Sequence, residues 1–190
     1  MPVLYVRIPE ERIAPLIGPG GRTKREIEIQ TRTEIEVDPE EEGVRVSSKD
    51  EGDPDGVMRA RDVVLAVGRG FSPARAMRLL KDNTYLGVID IKQISGKHQK
   101  NALWRIRSRL IGTHGKARGR LEELSGCSIS VYGSTVALIG QEAQLERATR
   151  AVELLLRGSE HSTVFHMLAR LRRAANVAEA MAPAEELLEE

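Results

Sequence analysis

The sequence predicts an α+β protein made of two copies of one small unit, each a three-stranded sheet with helices on one face, followed by a separate C-terminal helix. Three observations carry this expectation. A Gly-x-x-Gly tetrad occurs at 18–21 and again at 112–115, an offset of 94 residues that also aligns Ile17 with Ile111, Arg22 with Lys116 and Ile27 with Leu121. Such a fixed offset marks an internal repeat. Around each tetrad the apolar residues change from helical spacing to alternation, as amphipathic helices followed by half-buried strands require. Finally, 190 residues with 41% hydrophobic content suit two small cores.

Taken in order, Val3 to Ile8 alternates as a strand that Pro9 ends, and Glu10 to Ile17 is helical apart from Pro15. After LIGPGGRTKREI, Thr33 to Val37 reads as a strand, Gly43 to Ser47 as its return and Pro54 to Val67 as a closing helix, giving a first domain over 1–71. Residues 72–84 form a linker with a short helix from Ala74 to Lys81. A second domain over 85–160 opens with the strand Tyr85 to Ile91 and continues with a long basic helix, Gln99 to Ile111. Cys127 to Tyr132 then alternates, with Ile129 and Val131 on one face. Gly133 and Ser134 make a turn, Thr135 to Ile139 returns, and Gln141 to Leu156 is an amphipathic helix. In 161–190, a last helix runs from about Thr163 to Met181 with Ser162 as its N-cap. Its heptad-like stripe of Val164, Leu168, Leu171, Ala175 and Ala178 is expected to pack onto a sheet or between the units.

Charge separates the copies. The whole chain carries a formal charge of only +1, yet residues 91–121 hold nine Lys or Arg and no Asp or Glu, so a polyanion is the natural partner there. Residues 34–55 hold ten acidic residues against Arg45 and Lys49, with Glu40 to Glu42 between the two later strands of the first unit. Acidic side chains in that place repel phosphate. They also favour a second reading, in which the first unit is an adaptor for a basic protein partner.

Gly112 and Gly115 bracket Thr113 and His114 where one apolar helical pattern stops and another begins. Glycine permits the tight reversal and the close approach of another backbone. The helix that follows turns free N–H groups and its positive dipole end toward the gap. A phosphate suits that environment, and Lys116, Arg118 and Arg120 add cations beside it. In the first copy Pro19 removes an N–H that Thr113 retains, which makes the second loop the stronger binder.

Enzymatic readings find less support. A Walker loop needs glycine where Leu110 stands, and GPGG lacks the spacing of a dinucleotide fingerprint. His161 and His166 are five apart without a supporting carboxylate pattern, and one cysteine, Cys127, supplies neither a disulfide framework nor a zinc cluster. Cys127 is expected to be a small buried residue, and His98 and His114 to lie in the basic segment. With aromatics at 3%, the stacking platforms of RRM and OB modules are not expected, and Trp104 is expected to be a packing residue. No nucleophile, base and orienter set stands out, and no metal or cofactor is expected. The segment MPVLYVRIPEER lacks a charged stretch followed by a long apolar run, so a signal sequence is not expected, and no run approaches the roughly 18 apolar residues of a membrane span. A soluble, cytoplasmic protein with neither a membrane nor a small-molecule partner is expected.

Helix, GxxG, helix, strand, strand, helix is the order of the KH RNA-binding module, which LIGTHGKARGRLEELSGCSISV closely resembles. Only one strand precedes the first tetrad, so both units are expected to be eukaryotic-type (type I) KH domains. The tandem arrangement, YLGVIDI, SISVYGSTVALIG and HSTVFHML together resemble the archaeal branch of the partner-of-Nob (Dim) family of ribosome assembly factors. That resemblance implies a non-catalytic protein binding the 3′-end region of small-subunit rRNA or its precursor, working with the Nob endonuclease on the assembling small subunit. It implies that Gly112, Thr113, His114 and Gly115 contact phosphate, with Lys116, Arg118 and Arg120 beside them and Arg105, Arg107 and Arg109 lining the approach. Leu110, Ile111, Leu121 and Ile129 are expected to form an aliphatic groove for bases. Gly18, Pro19, Gly20 and Gly21, with Arg22, Lys24 and Arg25, form the corresponding first site. Eukaryotic relatives have lost that first GxxG, whereas this chain keeps it.

Overall fold

Alternation and helical spacing produce the same unit twice in a computed structural model, which describes residues 3–38, 43–49, 54–96 and 100–181. The first unit runs β1 (Val3–Arg7), a 3-10 turn, α1 (Ile13–Ile17), the first GxxG turn, α2 (Arg22–Thr31), β2 (Thr33–Asp38), β3 (Gly43–Ser48) and α3 (Pro54–Gly68). After α4 (Pro73–Ala76) and a 3-10 turn, the second runs β4 (Tyr85–Asp90), α5 (Ile91–Ser95), α6 (Lys100–Ile111), the second GxxG turn, α7 (Lys116–Ser125), β5 (Ser128–Tyr132), β6 (Thr135–Gly140) and α8 (Glu142–Arg157). The last helix is α9 (His161–Met181). The sheets are antiparallel with orders β1-β3-β2 and β4-β6-β5, so the last strand sits between the other two in each.

Each sheet buries the apolar half of its alternation. Val6, Ile8, Ile35, Val44 and Val46 meet Val57, Ala60, Val63, Val64 and Val67 of α3; Ile89, Ile129, Val136 and Leu138 meet Leu121 and Leu124 of α7 and Ala148, Val152 and Leu155 of α8. Removing these side chains from water is the main favourable term for domains of this size. Where helix gives way to strand, Arg32 (φ 52°) and Gly126 (φ 85°) stand 94 residues apart in the left-handed conformation that closes a helix.

The unit boundary is a packed interface. The other face of the second sheet lies on the first unit: Ala137 and Ile139 belong to the same core as Phe71, Ala76 and Leu79, with Met77, Leu80 and Leu86 against it. Ser130 Oγ donates to Arg69 O at 2.9 Å, Arg78 Nη1 donates to Ser128 Oγ at 2.7 Å, and Tyr132 OH donates to the Glu11 carboxylate. The Arg12 guanidinium lies 5.8 Å from the centre of the Tyr132 ring. The stretch expected to be a linker therefore supplies core side chains.

Three further expectations change. Ile91 begins α5 instead of ending β4, because the Asp90 carboxylate accepts from Lys92 N–H at 2.7 Å and Gln93 N–H at 3.3 Å and so caps a new helix. Helix α9 starts at His161, which puts Ser162 inside its first turn, where its hydroxyl donates to Glu160 at 3.4 Å instead of capping. Of the α9 stripe, Val164 and Leu168 are fully buried, whereas Ala178 is exposed. Glu40 to Glu42 and His98 lie outside the described residues. Among the described residues no helix is long and apolar enough to cross a membrane.

Two outcomes test the packing. A Cβ at Gly70 (φ +93°) would stand 2.8 Å from both Ser130 Oγ and Tyr132 Cβ, so Gly70→Val should cost about 2 kcal/mol by overpacking, read as a lower urea midpoint. Cys127 is buried and burial pushes its thiol up to about 11, so at pH 8 it should react with a disulfide reagent only after denaturant is added.

Candidate nucleic-acid interface

The site begins with a steric demand at the helix break. Gly112 adopts φ 72° and ψ 175°, and a Cβ there would stand 2.7 Å from Ala117 Cβ and 2.8 Å from Ala117 N; only glycine fits without moving α7. Gly115 follows at φ 77°. The first loop repeats this geometry: Gly18 has φ 70° and ψ 176°, and a Cβ on it would lie 2.2 Å from Thr23 Oγ1. In both loops the outer glycines use their amides internally, Gly112 N–H to Ser108 O at 2.8 Å and Gly115 N–H to Gly112 O at 3.2 Å, with Gly18 and Gly21 matching at 2.9 and 3.1 Å. Thr113 and His114 stay exposed at the second tip, as do Pro19 and Gly20 at the first. His114 holds φ 54°, a left-handed conformation uncommon for a residue with a Cβ, where the first loop has Gly20 at φ 58°.

The cations around the second loop divide into two sets. Arg105 and Lys116 are exposed and form no hydrogen bond or ion pair with another described residue. Arg118 lies beside the hinge, 3.9 Å from where a Gly115 Cβ would stand, and its buried Nε has no acceptor. Arg107, Arg109 and Arg120 already have partners. Arg107 Nη1 donates to Gly133 O at 3.2 Å, tying α6 to the β5–β6 turn, and Arg120 pairs with Glu123 at 2.7 Å. Arg109 donates to Gly158 O at 3.2 Å and to Ser159 O, while His161 Nε2 donates to the Arg109 carbonyl at 2.9 Å. The break at Gly112 removes the helical partner of that carbonyl, and α9 supplies the replacement. Arg109 thus fastens α6 to the α8–α9 corner instead of lining an approach.

The aliphatic expectation also needs correction. Leu110, Leu121 and Ile129 are each only 2% exposed and belong to the core, where α6, α7 and β5 meet. Ile111 alone of the four is half-buried. Helical spacing marks an apolar face without telling whether that face meets protein or solvent. Trp104, expected to pack, is 63% exposed, since Leu103, Ile106 and Leu110 already fill the inner face of α6.

The first loop is less open. Arg25 Nη2 folds back onto Gly20 O at 2.6 Å and Lys24 pairs with Glu28 at 3.3 Å; Arg22 remains exposed beside a depression of about 490 Å³ reaching Ile29.

One element of the site escaped the sequence reading. The Glu122 carboxylate accepts from Ile129 N–H on the edge strand β5 at 2.7 Å and from Arg75 Nη1 of α4 at 2.9 Å. Glu28 does the same for Ile35 N–H at 2.9 Å. The 94-residue offset carries Glu28 onto Glu122 and Ile35 onto Ile129, a signal present in the sequence beside the glycine, cationic and apolar matches. Each glutamate fixes the end of its second helix against an edge strand of its sheet and covers one N–H of that open edge.

Residues 3–66 match the KH domain family, and residues 85–173 match the family described as eukaryotic-type KH domain, KH-domain type I. The curated KH domain-containing protein MJ0443 of Methanocaldococcus jannaschii is 38% identical over 168 residues, covering 88% of this chain and 73% of that one. The crystal structure of Dim2p from Pyrococcus horikoshii OT3 is 49% identical with a TM-score of 0.83, covering 90% of this chain and 99% of that one. A chain of the a/eIF2alpha–aDim2p–rRNA complex from the same organism is 48% identical with a TM-score of 0.84, over 91% and 95% of the two chains.

The glutamate tie can be measured. Glu122→Ala leaves the Ile129 amide without its acceptor and should cost about 2 kcal/mol in equilibrium unfolding. Glu122→Gln, which keeps an acceptor oxygen, should cost less.

Proposed function

Because the chain belongs to the tandem-KH family that includes archaeal Dim2p, we propose that it is a non-catalytic RNA-binding protein of small-subunit biogenesis. Its second unit clamps single-stranded rRNA from the 3′-end region of the small-subunit molecule, mature or precursor. One observation carries the reading: the exposed Thr113–His114 tip stands at the start of α7, where Lys116 is exposed with no ion pair among the described residues and Arg118 holds an unsatisfied Nε. Backbone N–H groups, dipole and side chains favour the same ligand there, a phosphate. A KH loop holds the backbone of about four nucleotides, and bases would meet Ile111 and the open edge of β5.

The Pyrococcus horikoshii complex joins aDim2p to rRNA and to a/eIF2alpha, which supports RNA as the principal ligand here and protein contacts as a second property. The Nob endonuclease and the assembling small subunit are the partners that fit this role. Of the expected residues, Thr113, His114, Lys116, Arg105 and Arg118 are the proposed phosphate contacts. Arg120 and Arg107 reach RNA only by exchanging their present partners, and Arg109 holds the loop in place. The first loop, with Arg25 turned inward, contributes Arg22 and secondary affinity on the same strand through effective concentration.

Replacing both Thr113 and His114 by Asp puts negative charge at the tip. Fluorescence anisotropy with a labelled oligonucleotide of the rRNA 3′ end should show at least about tenfold weaker binding, or about 1.4 kcal/mol, and a shallower salt dependence. Unchanged affinity and salt slope would remove the second loop from the interface. The same change at Pro19 and Gly20 should have a smaller effect.

A further inference from the structure

The indole of Trp104 is large, apolar, 63% exposed and the only tryptophan of a chain with 3% aromatics. It sits on the most cationic helix, within a stretch of residues 91–121 that has no acid. Residues three, four and seven positions on share its side of a helix, which places Trp104 on one stripe of α6 with Arg107, Ser108 and Ile111. That stripe has a known outlook. Arg107 reaches Gly133 O in the β5–β6 turn at 3.2 Å, and Ile111 adjoins the GxxG hinge, so the stripe runs from Trp104 past the β5–β6 turn to the hinge. Trp104 stands eight residues before Gly112, about 12 Å along the helix axis.

From this placement we propose that Trp104 is a stacking platform for a nucleobase, extending the RNA site along α6 beyond the nucleotides held at the hinge; this rests on the RNA-binding reading given above. Stacking on an exposed indole releases water from both apolar faces and uses a π-surface that every base has. The neighbouring Arg105 supplies a cation that keeps the sugar-phosphate chain nearby, and Arg107 a second once it exchanges Gly133 O for phosphate. Trp104 gives the second unit an aromatic contact, with a preference for purines through their larger face.

The residue reports on itself. The full-length protein is titrated with an end-labelled single-stranded oligonucleotide of rRNA 3′-end sequence, while label anisotropy and tryptophan emission are followed together. Emission should fall in step with anisotropy and give the same Kd; an abasic sugar-phosphate oligomer of equal length should leave emission unchanged. Trp104→Ala should weaken RNA binding about tenfold, with Trp104→Phe retaining most of the affinity and both variants keeping the wild-type circular dichroism. RNA binding with unchanged emission and full affinity in Trp104→Ala overturns the stacking proposal alone, as does equal loss in the Ala and Phe variants. Absence of RNA binding by the wild-type protein overturns the RNA-binding reading and the stacking proposal with it.

Discussion

A helix must reverse within four residues while its successor starts almost in contact with it, and this constraint shapes the rest of the molecule. At Gly112 the space a Cβ would need is occupied by Ala117, and at Gly18 by Thr23, so the second helix packs directly behind each hinge. The consequence is chemical as well as steric. The outer glycines consume their amides within the turn, and the two middle residues are left on the surface at the positive end of a helix. Sequence differences then give two equal scaffolds different surroundings. Thr113 and His114 stand near the exposed Lys116 and the unsatisfied Arg118 Nε, whereas Pro19 and Gly20 adjoin an arginine folded onto Gly20 O.

The two units are packed against each other through a shared core and side-chain hydrogen bonds. Serines and a tyrosine on the outer face of the second sheet meet backbone and side chains of the first unit, and Arg75 of α4 reaches across to Glu122, which itself holds the groove strand. The first unit therefore helps hold β5 and α7 of the second together. On the other flank α9 satisfies the Arg109 carbonyl through His161 and reaches the end of α7, where Arg172 donates to Glu123 O at 2.8 Å. The hinge between α6 and α7 is thus held from both sides by side chains of other elements.

Much of this was legible in the sequence, and the limits have physical causes. The repeat offset and alternating strands predicted both units and their element order, because backbone conformation follows local spacing and glycine position. Side-chain destination was less accessible. Leu110, Leu121 and Ile129 are expected as groove residues and are core, Arg109 is expected to line the approach and is a tie, and Trp104 is expected to pack and is exposed. In each case a partner distant in sequence decides the outcome: the α8–α9 corner for Arg109, and α6 residues already filling the core for Trp104. The Asp90 cap was visible in principle, since an aspartate followed by a short helical run is a start signal, but the alternation of YLGVIDI obscured it.

Amide hydrogen exchange of the full-length protein, with and without an oligonucleotide of the rRNA 3′ end, tests the central claim most directly. The account predicts that RNA slows exchange at Thr113, His114 and the first turn of α7, with a weaker effect at the first loop. Protection confined to the outer surface of the first unit, with exchange at Thr113 and His114 unaltered by bound RNA, would contradict it.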